Sequence, residues 1–96
     1  MILYVLLEYD IGNDTVKIID TNMRSESIIE VIDDFLRTQV GAGEDERYHD
    51  EREYYDIKIS LDLETDTFEC AHNCGNKGLR DGILMRCEQL MKSGKV

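Results

Sequence analysis

Three cysteines and one histidine in the last third of the chain are side chains that could hold a metal ion. Cys70, His72 and Cys74 lie close together, and Cys87 follows on a later segment. Thiolate and imidazole groups are the usual ligands of tetrahedral zinc, so a zinc-stabilised adaptor is one hypothesis. However, the spacing differs from that of a common zinc knuckle, in which the ligands form two close pairs. We expect buried structural thiols without a metal or cofactor, because a free cysteine packs as a small hydrophobe.

A glycine-flanked lysine precedes the last helical segment and could bind an anion. The run Gly75, Asn76, Lys77 and Gly78 is followed by Arg80. Exposed N–H groups at a positive helix end, together with two cations, would suit a phosphate or a carboxylate. The alternative function is therefore a small regulatory domain that binds an anionic ligand at this loop. A glycine-assisted turn with Asn76 as the helix N-cap explains the same residues without a ligand.

No group of residues in the sequence has the spacing of a catalytic site. The two histidines are His49, in an acidic segment, and His72, near the end of a strand. A cysteine nucleophile needs a base held nearby, and Cys74 with His72 is the only pair of this kind that is local in sequence. We therefore expect a protein that is not an enzyme and has no catalytic residues.

The charge of the chain is strongly negative and unevenly distributed. The formal net charge is −10 at pH 7, yet residues 76–96 carry five basic side chains against two acidic ones. Duplex nucleic acid is an unfavourable direct partner, because its phosphates would meet mainly carboxylates. A protein with a basic surface, such as a nucleic-acid-binding protein, is the expected partner. The simplest alternative is that the negative charge only keeps a small protein soluble.

The densest acidic segment separates two halves of the chain. Residues 44–53 contain six acids and two arginines without apolar periodicity, which predicts a solvated, mobile linker. Residues 44–66 contain ten acids against three basic side chains. One hypothesis is an inhibitor that mimics nucleic acid and occupies the basic groove of its partner. The predicted partner-binding residues are Glu44, Asp45, Glu46, Asp50, Glu51, Glu53 and Tyr4.

The elements that must position these residues follow the same pattern twice, with an offset of 52 residues. Alternating apolar residues predict strands over 5–10 and 15–19, with a turn between them, and residues 57–62 and 67–71 repeat this hairpin. An apolar stripe of helical period follows each hairpin. The first helix is expected to begin with a capping box at Ser27 and Glu30, and the second near Asn76. The chain therefore predicts two consecutive ββα units.

Alternation within the first predicted strand separates a core face from a second face. The second face begins apolar and becomes acidic at Glu8 and Asp10, which predicts a sheet covered on one side only. A contiguous apolar surface on a small domain often marks an interface. The residues of this predicted patch are Ile2, Tyr4, Leu6 and Ile19. A homodimer formed through this face or through an unpaired edge strand is one predicted assembly.

Together these patterns predict an α+β fold in which a four-stranded antiparallel sheet carries both helices of a ββαββα pseudo-repeat on one face. The chain is expected to form a single domain, residues 1–96, with halves 1–43 and 54–96 joined by the acidic linker 44–53. The absence of a long apolar run and the odd number of cysteines predict a cytoplasmic protein without membrane contact. The expected function is a non-enzymatic acidic protein-binding module.

Overall fold

Period-two alternation of apolar residues drives both halves of the chain to form a hairpin before a helix. The computed structural model describes residues 1–39 and 52–96. The elements in chain order are β1 (Ile2–Asp10), β2 (Thr15–Thr21), α1 (Ser25–Thr38), β3 (Tyr54–Asp62), β4 (Thr67–His72) and α2 (Lys77–Lys92). The predicted α+β fold, with one four-stranded antiparallel sheet and two helices, is confirmed. Neither helix in the described ranges is long and apolar enough to span a membrane.

The strand order of the sheet is β2-β1-β3-β4, so the first strands of the two hairpins pair at its centre. All three strand pairs are antiparallel. The pairing of β3 with β4 runs without interruption, whereas β1 and β2 change register between Leu6 and Leu7. Ile19 is the extra residue at this β-bulge. Bulges of this kind bend a strand and disturb its outer edge.

The two hairpins keep the offset of 52 residues in three dimensions. Asp10 pairs with Thr15 across the first turn, and Asp62 pairs with Thr67 across the second. Each turn ends in an aspartate whose φ is 53°, a left-handed conformation that aspartate tolerates better than most residues. These two residues, Asp14 and Asp66, are among the three identities that accompany the offset.

The central pairing of β1 with β3 joins the halves reciprocally. The Ile11 N–H donates to the Glu53 carbonyl at 3.1 Å, and the Leu63 N–H donates to the Met1 carbonyl at 3.1 Å. Donor and acceptor of one bond each lie 52 residues from their counterparts in the other. The helices also begin at this offset, at Ser25 and Lys77. An approximate twofold relation therefore connects the two ββα units.

Both helices cover the same face of the sheet and form one core with it. The inward positions of β1 and β3 are almost fully buried, as in Leu7 and Ile59. Phe35 of α1 meets Phe68 of β4 edge to face, with 5.6 Å between ring centroids. The α2 residues in this core are Ile83, Leu84, Cys87, Leu90 and Met91. The expected apolar stripes of both helices therefore face the sheet and each other.

The start of α1 differs from the predicted capping box at Ser27 and Glu30. The helix begins at Ser25, with Arg24 as an N-cap whose side chain makes no capping hydrogen bond. The preceding turn sets this start, because the Thr21 hydroxyl accepts the Met23 N–H at 3.0 Å as the chain leaves β2. The start of α2 agrees with the sequence, since the Asn76 side chain accepts the Leu79 N–H at 2.8 Å as an N-cap.

Candidate functional site

The sheet face opposite the helices is open to solvent within the described part of the chain. Strand side chains alternate, so the residues between the buried ones point to this open face. Tyr4 and Leu6 lie at its centre and are half-buried. Ile2 is 55% exposed, and Ile19 at the bulge is 50% exposed. The apolar residues of the predicted patch therefore reach the surface of the molecule.

Tyr4 forms the aromatic centre of the open face. The Lys58 ammonium nitrogen lies 5.1 Å from the centroid of the Tyr4 ring, within the range of a cation–π contact. The Tyr4 hydroxyl donates to Asp20 at 3.4 Å. Asn22 fixes the adjacent backbone, accepting the Tyr4 N–H at 2.9 Å and donating to the Ile2 carbonyl at 2.8 Å. Contacts with β2 and β3 therefore fix the position of the Tyr4 ring in the unbound protein.

Carboxylates surround this aromatic centre. Strand pairing places six acidic side chains and two lysines on the open face: Glu8, Asp10, Asp20, Asp56, Asp62, Glu69, Lys17 and Lys58. Two of the carboxylates also stabilise turns, since Asp10 accepts the Asn13 N–H at 3.1 Å and Asp62 accepts the Glu64 N–H at 2.9 Å. The Asn13 contacts hold the pKa of Asp10 below its usual value. The open face is therefore negatively charged at neutral pH.

Two of the seven predicted partner-binding residues lie in the described ranges. Tyr4 lies at the centre of the open face, opposite Ser60, whereas Glu53 is exposed just before β3, where its carbonyl pairs with Ile11. Glu53 thus lies beyond one end of the β1–β3 ladder, and the last pair at that end is six pairs away from the Tyr4–Ser60 pair. The other predicted residues lie outside the described ranges: Glu44, Asp45, Glu46, Asp50 and Glu51.

The predicted anion-binding loop forms the junction between β4 and α2. Gly75 has a φ of 82°, which a glycine adopts without strain, and Asn76 uses its side-chain oxygen to cap the helix. Lys77 is exposed at the first position of the helix, and Gly78 is half-buried one residue later. The structure thus shows the roles of a turn and a cap for Gly75 and Asn76. Anion binding at this loop stays a prediction.

Arg80, the second predicted cation of this loop, is buried. The residue is only 4% exposed, and its Nε and Nη2 donate to Asp81 Oδ1 at 2.9 and 2.8 Å. Its guanidinium carbon lies 4.9 Å from the centroid of the Phe35 ring. Arg80 therefore joins α2 to α1. Its guanidinium is directed away from the solvent from which an anionic ligand would bind. At the offset of 52 residues, its counterpart in α1 is the core residue Ile28.

The four candidate zinc ligands take different positions around α2. Cys74 and Cys87 are fully buried in the core, whereas Cys70 and His72 are half-buried on β4. The Cys74 N–H donates to His72 Nδ1 at 3.2 Å, which leaves this nitrogen as an acceptor. Burial, and then the charge of Arg80, lowers the pKa of His72. Among residues 1–39 and 52–96, no group of three or more His, Cys, Asp or Glu side chains could hold a metal ion.

The thiols are expected to differ in reactivity because their burial differs. Burial, and then the neighbouring Cys74, raises the pKa of Cys87 to about 12, and burial also raises the pKa of Cys70. Since the thiolate is the reactive species, Cys74 and Cys87 should resist iodoacetamide at about pH 8 in the folded protein. Cys70 should react first, and more slowly than an unfolded thiol. Mass spectrometry of timed samples measures this order, with a urea-unfolded sample as the control. Early alkylation of Cys87 in the folded chain would contradict it.

A second polar cluster joins the first turn to α2. Arg86 Nε donates to both carboxylate oxygens of Asp14, at 2.9 and 3.2 Å, and its Nη2 also pairs with Asp14. The Tyr9 hydroxyl donates to the same carboxylate at 2.6 Å. Burial, and then the Asp14 hydrogen bond, raises the pKa of Tyr9 to about 12. The Arg86 hydrogen bonds, followed by that of Tyr9, hold the pKa of Asp14 well below its usual range.

The lowered pKa of Asp14 predicts a loss of stability in acid. A carboxyl group whose native pKa is depressed stabilises the fold above its unfolded pKa of about 3.9, and this contribution disappears as the pH falls further. The difference in Tm between the wild type and Asp14→Asn should therefore be largest near neutral pH and shrink below about pH 4. Thermal unfolding followed by circular dichroism measures this difference. Asp66→Asn, which has the same φ in the equivalent turn, is the matched control. A difference that is constant from neutral pH into strong acid would contradict the prediction.

Comparisons of this chain with protein-family models, with curated proteins and with solved structures gave no match. Sequence patterns alone did not identify Phe35 as a neighbour of Arg80. A signal was present, because the offset of 52 residues aligns Arg80 with a core position of α1. The sequence patterns also did not identify the acidic residues around Tyr4 on the open face, because that arrangement depends on the strand order.

Proposed function

We propose that this protein is a non-enzymatic module that binds a basic surface of another protein through the open face of its sheet. The observation that carries this proposal is the position of Tyr4, held by Lys58 and Asp20 inside a ring of carboxylates. Binding interfaces commonly place an aromatic anchor at the centre and polar groups at the rim. The acidic rim selects a partner that is rich in lysine and arginine.

The charge distribution supports this orientation of the partner. The open face carries an excess of carboxylates, whereas the C-terminal half of α2 and the residues after it carry Arg86, Lys92 and Lys95. A basic partner would be attracted to the open face and repelled from that end of α2. Such complementarity raises association rates and weakens as salt screens the charges. Affinity should therefore fall steadily as salt concentration increases.

The narrower hypothesis of a nucleic-acid mimic depends on further carboxylates. Most of the acidic side chains between residues 44 and 53 lie outside the described residues. The mimic would displace DNA or RNA from the same groove of its partner, which a competition experiment with the purified pair measures. That version of the function stays a prediction, and the acidic open face supports the broader proposal independently of it.

The test compares two charge variants that have the same net charge. Asp56→Asn with Glu69→Gln removes two carboxylates from the open face, and Glu26→Gln with Glu30→Gln removes two from the exposed side of α1. Basic proteins captured from a lysate by the wild type are identified, purified and titrated against all three proteins. The open-face variant should bind roughly tenfold more weakly, because each exposed ion pair contributes about 0.2–1 kcal/mol. The α1 variant should bind like the wild type.

Two outcomes would overturn this proposal. Equal affinities of the two variants would show that net charge, and not the open face, determines binding. Affinity of the wild type that is unchanged at high salt would show that the carboxylates do not contribute. Tyr4→Ala adds an independent measure, since it removes the aromatic anchor without changing the charge.

A further inference from the structure

The outer edge of β4 presents main-chain groups that have no strand neighbour in the described part of the chain. Among residues 1–39 and 52–96, β4 is the last strand of the sheet and pairs with β3 alone. Asn73, just after β4, donates its N–H to the Asp56 carbonyl at 3.3 Å, and its side-chain Oδ1 accepts the Asp56 N–H at 2.9 Å. Because an antiparallel ladder alternates, the N–H and C=O groups of Phe68, Cys70 and His72 point away from β3. Such groups are a template for an added strand.

The opposite edge strand, β2, is less suited to this role. Its bulge at Ile19 breaks the regular spacing of its outer groups, and β2 carries an exposed lysine, Lys17. β4 keeps one register from Thr67 to His72 and contains no proline or lysine. Bulges, lysines and prolines are the usual means by which proteins protect an edge strand from pairing. The two edges are equivalent by the offset of 52 residues, yet β4 lacks these protections.

A recess lies beside β4 on each face of the sheet. The recess on the open face is lined by Lys58, Ser60, Glu69, Cys70 and Ala71. The recess on the helix face is lined by Asp34, Arg37, Thr38, Leu61, Asp66 and Phe68. An added strand directs alternate side chains to opposite faces, so the two recesses would receive alternate residues of one extended segment. In strand addition, an unpaired edge supplies main-chain hydrogen bonds, and flanking recesses add specificity for alternate side chains.

The charge of these recesses favours a basic segment. Arg37 on the helix face already pairs with Asp33 and Asp34, and Asp66 adds a further carboxylate. On the open face, Glu69 is exposed on the edge strand itself, whereas the cation of that recess, Lys58, lies one strand further in, on β3, and contacts the Tyr4 ring. A second copy of this chain would bring two acidic edges together, which opposes self-pairing. Lysine or arginine side chains of a partner would instead meet Glu69 and Asp66.

From this geometry we propose that β4 binds an extended, lysine- or arginine-bearing segment of a partner protein as a fifth strand. The main chain of the segment pairs with Phe68, Cys70 and His72, and its alternate side chains enter the two recesses. This inference rests on the proposed function, since it assumes that the partner is basic. The inference adds a mode of binding, which is strand addition, and names β4 as the element that binds the partner.

The test follows amide hydrogen exchange by NMR on the full wild-type chain. The probe is a synthetic eight-residue Lys-Val peptide, Lys-Lys-Val-Val repeated twice, which presents lysines on both faces of an added strand. The control is the Glu-Val peptide with glutamate at each lysine position. With the Lys-Val peptide at about ten times its dissociation constant, exchange at Phe68, Cys70 and His72 should slow about tenfold. The amides of Val16 and Ile18, which lie at the equivalent positions of β2, should be unaffected, and the Glu-Val peptide should protect neither edge.

A variant with little effect on the fold adds a test of the charges. Asp66→Asn keeps a residue that tolerates the left-handed turn, so the second hairpin should remain intact. It should weaken binding of the Lys-Val peptide about threefold, the effect of one exposed ion pair. Glu26→Gln, exposed on the first turn of α1 and outside the recess lining, should leave the affinity unchanged.

Several outcomes would overturn the inference. Protection of the Val16 and Ile18 amides instead of the β4 amides would show that the peptide adds to β2, which contradicts the inference. Protection that rises with protein concentration in the absence of peptide would identify a second copy as the occupant. If the Lys-Val peptide shifts the resonances of Tyr4 and Lys58 but protects no β4 amide, strand addition is wrong while binding at the open face stands. If the peptide affects neither the open face nor β4, both proposals fail.

Discussion

Leu7→Ala and Ile59→Ala should each lower the free energy of unfolding by about 2–5 kcal/mol, and by similar amounts. Leu7 is 1% exposed and Ile59 is 0% exposed, on the two central strands of the sheet. They occupy equivalent positions at the offset of 52 residues, and each side chain lies in the core beneath the helices. Truncation removes apolar contacts and leaves a cavity that the surrounding strands cannot close. Urea unfolding followed by circular dichroism measures both values.

The matched control is Ile2→Ala on the open face of β1. Ile2 is 55% exposed, so its truncation should change the free energy of unfolding by no more than about 0.5 kcal/mol. A loss below about 1 kcal/mol for only one of the two core variants would contradict the approximate equivalence of the two halves. A loss of that small size for both variants would mean that the central β1–β3 pairing does not carry the core.

The hairpins illustrate what a single sequence specifies well. The predicted turns at residues 11–14 and 63–66 are those of the structure, because each lies between two short runs of alternating apolar residues. The same local rules predicted the apolar stripes of both helices. These features depend on residues close together in the chain, so no knowledge of tertiary contacts was needed to find them.

Features that depend on long-range contacts were not accessible in the same way. Strand order was not predicted, since the pairing of β1 with β3 joins residues that are far apart in sequence. Tyr55 lies before the predicted start of the third strand at residue 57, yet it is 2% exposed and begins the inward face of β3. Its acidic neighbours, Glu53 and Asp56, conceal the alternation that continues through Ile57. The capping box failed because the preceding turn, and not Ser27, sets where α1 begins.

Arg80 shows how local chemistry and tertiary structure can suggest different roles. Beside Gly75 and Lys77 in the sequence, a cation near a helix start predicts an anion site. In the fold, the same side chain is buried over Phe35 and paired with Asp81. Only the repeat, which aligns it with Ile28, indicated a core position. Burying the charge of Arg80 costs free energy in the second half of the chain. The first half has no such cost, because Ile28 occupies the equivalent position of α1.

Arg80→Ala is therefore expected to lower the free energy of unfolding by about 3 kcal/mol, the lower end of the range for removing one partner of a buried ion pair. The Arg80 side chain is 5% exposed, and its loss leaves the Asp81 carboxylate without the guanidinium. The Asp81 side chain is 24% exposed, so water can replace part of the lost interaction. The variant also removes the contact with the Phe35 ring. Urea unfolding of the purified variant beside the wild type measures the difference.

The double variant Arg80→Ile with Asp81→Asn separates the cost of an orphaned charge from the loss of packing. It places in α2 the residue that α1 carries at the equivalent position and leaves no carboxylate behind. Replacing a buried ion pair by apolar groups is often neutral or stabilising, so the double variant should unfold within about 1 kcal/mol of the wild type. A double variant as unstable as Arg80→Ala would assign the stabilisation to the contact of the guanidinium with the Phe35 ring. If the double variant is as stable as expected, the Arg80–Asp81 ion pair is not needed for folding. The next measurement is then the affinity of the double variant for the partner protein, because the ion pair occurs in one half of the chain and has no role in stability.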